Sequence, residues 1–333
     1  MRKVAAAWLV LIALMALAAP VLSPNDPAVT FRAFLYAPPM WPHIVGPGGS
    51  WQRPYVHPLR LVSRLEQTYE EDSGRAVPLE FFAGGKLVRL SDESGGPWLP
   101  LGADRDGRDV LARLLFGART SLGIALFATL AALLIGAMAG GLAGYRGGLV
   151  DDAIMRLAEF VLVLPAVYVV LALRAALPLV LPSWAVFALM AGIFALVGWP
   201  WVARAVRAVV ATERTKEYAA AAVSLGAGPG RVLFRHLLPA CRGVVGTQAI
   251  LLLPGFILAE ATLSYVGLGF PETVPSWGTM LHQASNANAI ADFPWTLAPA
   301  AAIFAVTLAA NLLVAENDSG SDYLRPSRKS LPE

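Results

Sequence analysis

Cysteine is almost absent: Cys241 is alone in 333 residues, so no intrachain disulfide can form and no thiolate cluster can hold a metal. Histidine is nearly as scarce, and His43, His57, His236 and His282 lack the spacing of a ligand set. No GxxxxGK[ST] occurs, Gly84-Gly85-Lys86 being only a fragment of one, so the chain has no phosphate cradle with which to hydrolyse ATP itself. GxSxG and HExxH are missing too, which removes the commonest hydrolase and metalloprotease signatures. Charge is low as well, at 15% of residues.

What is abundant is apolar surface. Hydrophobic residues make up 56% of the chain and the mean hydropathy is +0.59, values foreign to a soluble domain of this size. A bilayer core of roughly 30 Å is crossed by about 20 apolar residues. Six stretches qualify, Val4 to Leu22, Leu122 to Tyr145, Phe160 to Leu181, Trp184 to Val206, Val244 to Val266 and Trp295 to Val314, and predict an all-α polytopic membrane protein. The first follows Arg2 and Lys3 and reads as an uncleaved anchor, 1–22, since Pro20 sits badly for signal cleavage.

Orientation follows from the short loops. Arg204, Arg207, Arg214, Lys216, Arg231, Arg235 and Arg242 crowd one connection, whereas 267–294 has no Lys or Arg. The positive-inside rule assigns the first to the cytoplasm, the second to the outside and both termini to the cytoplasm. The pI near 9.1 reflects this topology. No aromatic interleaving or reading motif accompanies the basic residues, so nucleic acid is not an expected partner, whereas membrane lipid is.

Residues 23–100 are polar and rich in proline and glycine. Alternations at Pro78 to Phe82 and Lys86 to Leu90 around Gly84-Gly85 predict a hairpin, and the whole predicts a small extracytoplasmic β-rich or irregular insert. It reads either as a solvated cap or as a docking surface. Residues 101–121 follow, where Asp104, Asp106 and Asp109 resemble a calcium loop, but Leu115 stands where the closing Glu would be. An interfacial helix is the better expectation, with Val110, Leu111, Leu114 and Leu115 on its apolar face and Arg108, Arg113 and Arg119 snorkelling to headgroups. A five-helix core, 122–314, and a cytoplasmic tail, 315–333, complete the division.

Within the cytoplasmic connection 207–242, Glu217 to Pro239 reads EYAAAAVSLGAGPGRVLFRHLLP. An Ala-rich helix from Thr212 to Leu225 is expected to end on Gly226, which tolerates positive φ. A second helix opens at Pro229, carries Leu233, Phe234, Leu237 and Leu238 on one side and Arg231 and Arg235 on the other, and is expected to stop at Pro239. Such a hook suits docking of a soluble partner; the alternative is a hairpin lying on headgroups. Two charges interrupt spans, Arg174 in the third and Glu260 in the fifth. They read either as snorkelling groups or as residues at the outer end of a translocation path.

The run LGADRDGRDVLARLLFGARTSL, 101–122, resembles a signature of permease subunits in the dipeptide and oligopeptide branch of ABC importers. Similar matches follow in order: Gly141 to Gly148, Asp151 to Arg156, Gly198 to Arg204, Glu217 to Pro239, Glu260 to Gly269 and Pro275 to Gly278. The resemblance implies a permease of the bacterial inner membrane that imports peptides. It implies as partners a second permease subunit, two cytoplasmic ATPase subunits that bind ATP and magnesium, and an extracytoplasmic substrate-binding protein. No cofactor of its own is expected. Nickel chelates, opines and glutathione are alternative cargoes in the same class, and an ion-coupled secondary transporter is an alternative outside it. In the family's EAA coupling loop, Ala220 stands at the position of the acid, Ala221 and Ala222 at the alanines, Gly226 at the glycine, His236 at an isoleucine, and Leu238 and Pro239 at the Leu-Pro. Glu217 lies one turn before the missing acid. The chain also departs from the family after Leu313.

Overall fold

The computed structural model describes residues 2–45, 50–91, 96–165, 168–169, 172, 181–285 and 291–319. Helix α1, Arg2–Leu17, and the short α2, Ala19–Leu22, lead into the insert. There β1 (His43–Val45), β2 (Trp51–Val56), β5 (Val77–Phe81) and β6 (Val88–Leu90) form an antiparallel sheet in the order β1-β2-β5-β6. Strands β3 (Leu59–Ser63) and β4 (Thr68–Glu71) pair as a separate hairpin. Alternate residues such as Val77 and Leu79 point inward onto Val56, Leu59 and Leu99, giving the insert a small core of its own. The hairpin expected around Gly84-Gly85 is β5–β6, with Leu79 opposite Leu90 and Phe81 opposite Val88.

After the insert come α3, Val110–Arg146, α4, Gly148–Val163, and α5, Ser183–Glu213. The connection that follows comprises α6 (Glu217–Ser224), α7 (Pro229–Val232), a π-helical turn at Leu233–Leu237 and α8 (Leu238–Ala240). Then come α9, Arg242–Tyr265, the short α10, Trp277–Gln283, and α11, Ala298–Ser319. Among the described residues four helical stretches, Val110–Arg146, Ser183–Glu213, Arg242–Tyr265 and Pro294–Leu313, are long and apolar enough to cross a membrane. Most of the third expected span, Arg174 included, and residues 320–333 lie outside the described residues.

Residues 101–121 do not form a separate interfacial helix. Val110 opens one continuous helix of 37 residues, capped by Asp109, whose Oδ1 accepts from the Leu111 amide at 2.9 Å. No proline or cap interrupts 110–146, so nothing ends the helix at the predicted boundary. Arg108 and Arg113 do not snorkel either. Both are buried, and Arg108 Nε donates to Asp104 Oδ2 at 2.9 Å while Arg113 donates to the Glu272 carbonyl.

Helices α3 and α5 form the most extensive packing in the molecule. Gly136, Gly140 and Gly144 recur every four residues along α3 and bring the two backbones together. A methyl group added at Gly140 would lie 2.2 Å from the Ala203 carbonyl oxygen, and one at Gly144 2.7 Å from that of Arg207.

Candidate functional site

The hook at 217–239 is built on the end of α5. That helix runs to Glu213, where Lys216 Nζ donates to Glu213 Oε1 at 2.7 Å and Tyr218 Oη to Oε2 at 2.8 Å across the break into α6. The Ala-rich helix therefore starts at Glu217, not Thr212, the residues between being shared by the long helix and this hinge. At its end Gly226 has φ +82°, with its amide on the Val223 carbonyl and the Ala227 amide on that of Ala222. This is a Schellman ending, which satisfies carbonyls the helix leaves open.

Pro239 does not stop the following helix. Pro239 has no N–H to give to the preceding turn, and the chain widens into a π turn over Leu233–Leu237 just before it and then continues through α8 into α9. Leu233, Leu237 and Cys241 are buried beside Val206 and Val210 of α5, so the hook is bolted to the membrane core. Arg214 Nη1 donates to the Tyr145 carbonyl at the end of α3, and Arg207 holds Asp151 of α4 through two nitrogens.

Away from that seam the hook leaves large apolar side chains bare. Val223, Leu225 and Phe234 are 55%, 89% and 54% exposed. Glu217, Ala220 and Ala221 are exposed as well, Ala222, His236 and Pro239 are half-buried, and Leu238 is half-buried against Gly141 of α3. Small alanines at the surface leave backbone and large neighbours accessible, which is what a flat docking face requires.

At the opposite end of the molecule three of the quoted sequence runs meet. Glu260 of α9 is fully buried, and Ser121 of α3 and Ser264 of α9 donate their hydroxyls to its two oxygens at 2.7 and 2.8 Å. The Trp277 amide, at the first turn of α10, donates to Ser121 Oγ at 3.1 Å, and its indole N–H to the Leu114 carbonyl at 3.1 Å. Ser276 caps α10 in a reciprocal box with Thr279. Gly278 lets α10 lie against α9, since a Cβ there would sit 2.6 Å from Ser264 Cβ. Pairing of Glu260 with Arg174 falls outside the described residues. Sequence reading missed Ser264, although it lies one helical turn after Glu260, and it missed Ser121 with the Trp277 amide behind it because those residues are far from Glu260 in the chain.

A charged belt lies just beyond this node. Asp104 accepts from the Asp106 and Arg108 amides and from Arg108 Nε, each at 2.9 Å. Arg105 holds Glu272 through both carboxylate oxygens at 2.7 and 2.8 Å. Burial raises the Glu272 carboxyl, but the hydrogen bond and charge of Arg105, with Arg108 behind, outweigh it and hold it below its ordinary range. The acids of 104–106 are thus taken up by arginines and amides, and among the described residues no three-residue metal-ligating group exists. Asp109 differs. Burial pushes its carboxyl up to about 6, although Asn25 and the Ala112 and Leu111 amides pull it down.

Residues 132–316 match the model for the binding-protein-dependent transport system inner membrane component, more than half of the chain. The chain belongs to that family. This permease is 33% identical over 214 residues to the oligopeptide transport system permease protein OppC of Lactococcus lactis strain IL1403, covering 64% of this chain and 71% of the relative. It is 36% identical over 213 residues to OppC of Bacillus subtilis, covering 62% and 65%. It is 35% identical over 243 residues to the dipeptide transport system permease protein DppC of Alkalihalophilus pseudofirmus, covering 73% and 76%. A solved amino acid ABC transporter is similar at 15% identity and a TM-score of 0.46, covering 62% of this chain and 94% of that one. The permease is therefore a multi-pass protein of the bacterial inner membrane.

Proposed function

We propose that this permease forms half of the membrane path of a peptide importer and transmits ATPase motion through the hook at 217–239. The observation that carries this is a glycine-capped turn whose flanking segments leave Val223, Leu225 and Phe234 exposed, while Leu233, Leu237 and Cys241 form a buried seam to α5. A lever needs both a grip and a fixed axle. A second permease subunit, two ATPases that bind the nucleotide, and a soluble binding protein complete the assembly, with both termini and the hook on the ATPase side. Peptides are favoured as cargo because the relatives named for transport systems carry oligopeptide and dipeptide names. Specificity then resides in the binding protein, and this chain needs no tight site of its own.

At the far end, Glu260 acts as a latch of the path. It ties α3 to α9 and, through Ser121 and the Trp277 amide, to α10, so opening there must break a bonded chain whose members are otherwise satisfied. Reconstitution tests the whole reading. Proteoliposomes containing the four membrane-associated subunits and the binding protein should accumulate labelled dipeptide or oligopeptide only with ATP on the ATPase side. Accumulation driven by an ion gradient without ATP would reject it.

A further inference from the structure

The β5–β6 turn carries two aromatic side chains in a place the importer reading does not use. Phe81 and Phe82 are 51% and 81% exposed, at the tip of a hairpin whose Leu79 and Leu90 pack into the insert core. Phe82 also has φ +55°, a left-handed conformation that a bulky L-residue rarely adopts. It is held there by its amide on the Leu87 carbonyl at 3.0 Å, by the Lys86 amide on the Ala83 carbonyl at 3.0 Å, and by Gly84 and Gly85, both at positive φ. Backbone strain that projects an apolar ring into solvent calls for something outside the chain to receive it.

The tip's position says what that is. The Leu87 amide donates to the Val21 carbonyl at 2.7 Å, so the turn is one hydrogen bond from the end of the apolar run Val4 to Leu22. Asn25 Nδ2 reaches Asp109 Oδ2 at 2.9 Å and the Phe31 amide the Gly107 carbonyl at 2.9 Å, which sets the end of that run level with the start of α3. Leu14, Leu17 and Val21 are 56%, 72% and 47% exposed, an apolar surface along the end of that run. The Phe82 amide donates to the Leu87 carbonyl, so Phe82 is tied through Leu87 to the place where that run ends. Lys86, half-buried beside them, has an aliphatic stem to lie on the apolar layer and an ammonium to reach phosphate.

We propose that the tip from Phe81 to Leu87 dips into the bilayer leaflet that meets the Leu22 end of the first span, with the phenyl rings among the upper acyl carbons and Lys86 at the phospholipid phosphates. The insert is then a monotopic element moored to the membrane at its β6 edge, which fixes its height over the mouth of the path. Interfacial apolar groups of this kind sit about 5 to 10 Å into the headgroup and acyl boundary.

The test uses the full chain in phospholipid vesicles. Cys241→Ala removes the native thiol, Phe82→Cys places an environment-sensitive fluorophore at the tip, and Leu65→Cys, at a side chain 98% exposed on the β3–β4 turn, provides the comparison. Position 82 should emit to the blue of position 65, be quenched by lipid spin-labelled near the headgroup more than by lipid labelled deep in the chain, and resist aqueous iodide. Water-like emission with iodide quenching at 82 would overturn the proposal. So would blue emission that no lipid-borne quencher reaches, or that appears only after a soluble binding protein is added, because either assigns the tip to a protein surface. Should the label perturb folding, the fluorophore can be replaced by a benzophenone side chain at position 82 for photo-crosslinking, where adducts to phospholipid support the proposal and adducts to protein alone contradict it.

Discussion

At the residue scale the decisive feature is which polar groups are enclosed and what satisfies them. Glu260 has no exposure and two serine donors, so removing its carboxyl strands the hydroxyls of Ser121 and Ser264. Glu260→Ala should lower stability by about 2 to 3 kcal/mol, while Glu260→Gln, which keeps an acceptor and shape, should cost about 1 kcal/mol. Thermal unfolding of purified variants measures both; equal losses would contradict this account, since the acceptor and shape that Gln retains would then contribute nothing. Asp109 supplies a pH dependence. Its folded carboxyl, near 6, lies above the ordinary 3.8, so the folded state binds the extra proton between those values. Stability from this group is therefore full below about 4 and falls as pH rises to about 6, by roughly 3 kcal/mol at most. Asp109→Asn should abolish that part of the fall, read as the difference between wild-type and variant melting curves across the window. A parallel pair of curves would show that Asp109 does not titrate there.

At the scale of elements, the glycines of α3 do what the sequence hides. Gly136, Gly140 and Gly144 read as ordinary breaks in helix propensity, and only the α5 backbone against them explains their spacing. Gly140→Val should cost about 3 kcal/mol or more and separate α3 from α5, whereas Gly192→Ala on α5, where a Cβ meets nothing within 4 Å, should be neutral or stabilising by up to about 1 kcal/mol. Melting temperatures in detergent check the contrast, and equal effects would contradict the close packing. The same comparison shows what was legible. The turn at Gly226 and the β5–β6 hairpin were predictable because glycine and alternation act locally. The interfacial helix was not, since Arg108 and Arg113 look like surface residues until Asp104 and Glu272 are folded over them. Pro239 misled for a related reason: a proline ends an isolated helix, but a π turn before it absorbs the missing donor when both sides are packed.

At the scale of the whole molecule, hydropathy alone pointed to a polytopic helical protein, and colinear motifs pointed to its family, because both are written in many residues at once. The meeting of Gly117, Ser121, Glu260, Trp277 and Gly278 at one node needed three dimensions. So did the two-sided character of the hook. Its central claim is that 217–239 is the lever, and Gly226→Val tests it. Nothing lies within 4 Å of a Cβ there, so the variant keeps its packing, and the strain falls on the backbone at φ +82° and on whatever docks against the turn. The apolar spans that govern insertion are untouched. Measured in proteoliposomes with the partner subunits, Gly226→Val should integrate into the membrane as the wild type does, lose ATP-dependent peptide uptake and retain less ATPase on co-purification. Uptake at the wild-type rate with full ATPase retention would contradict the lever.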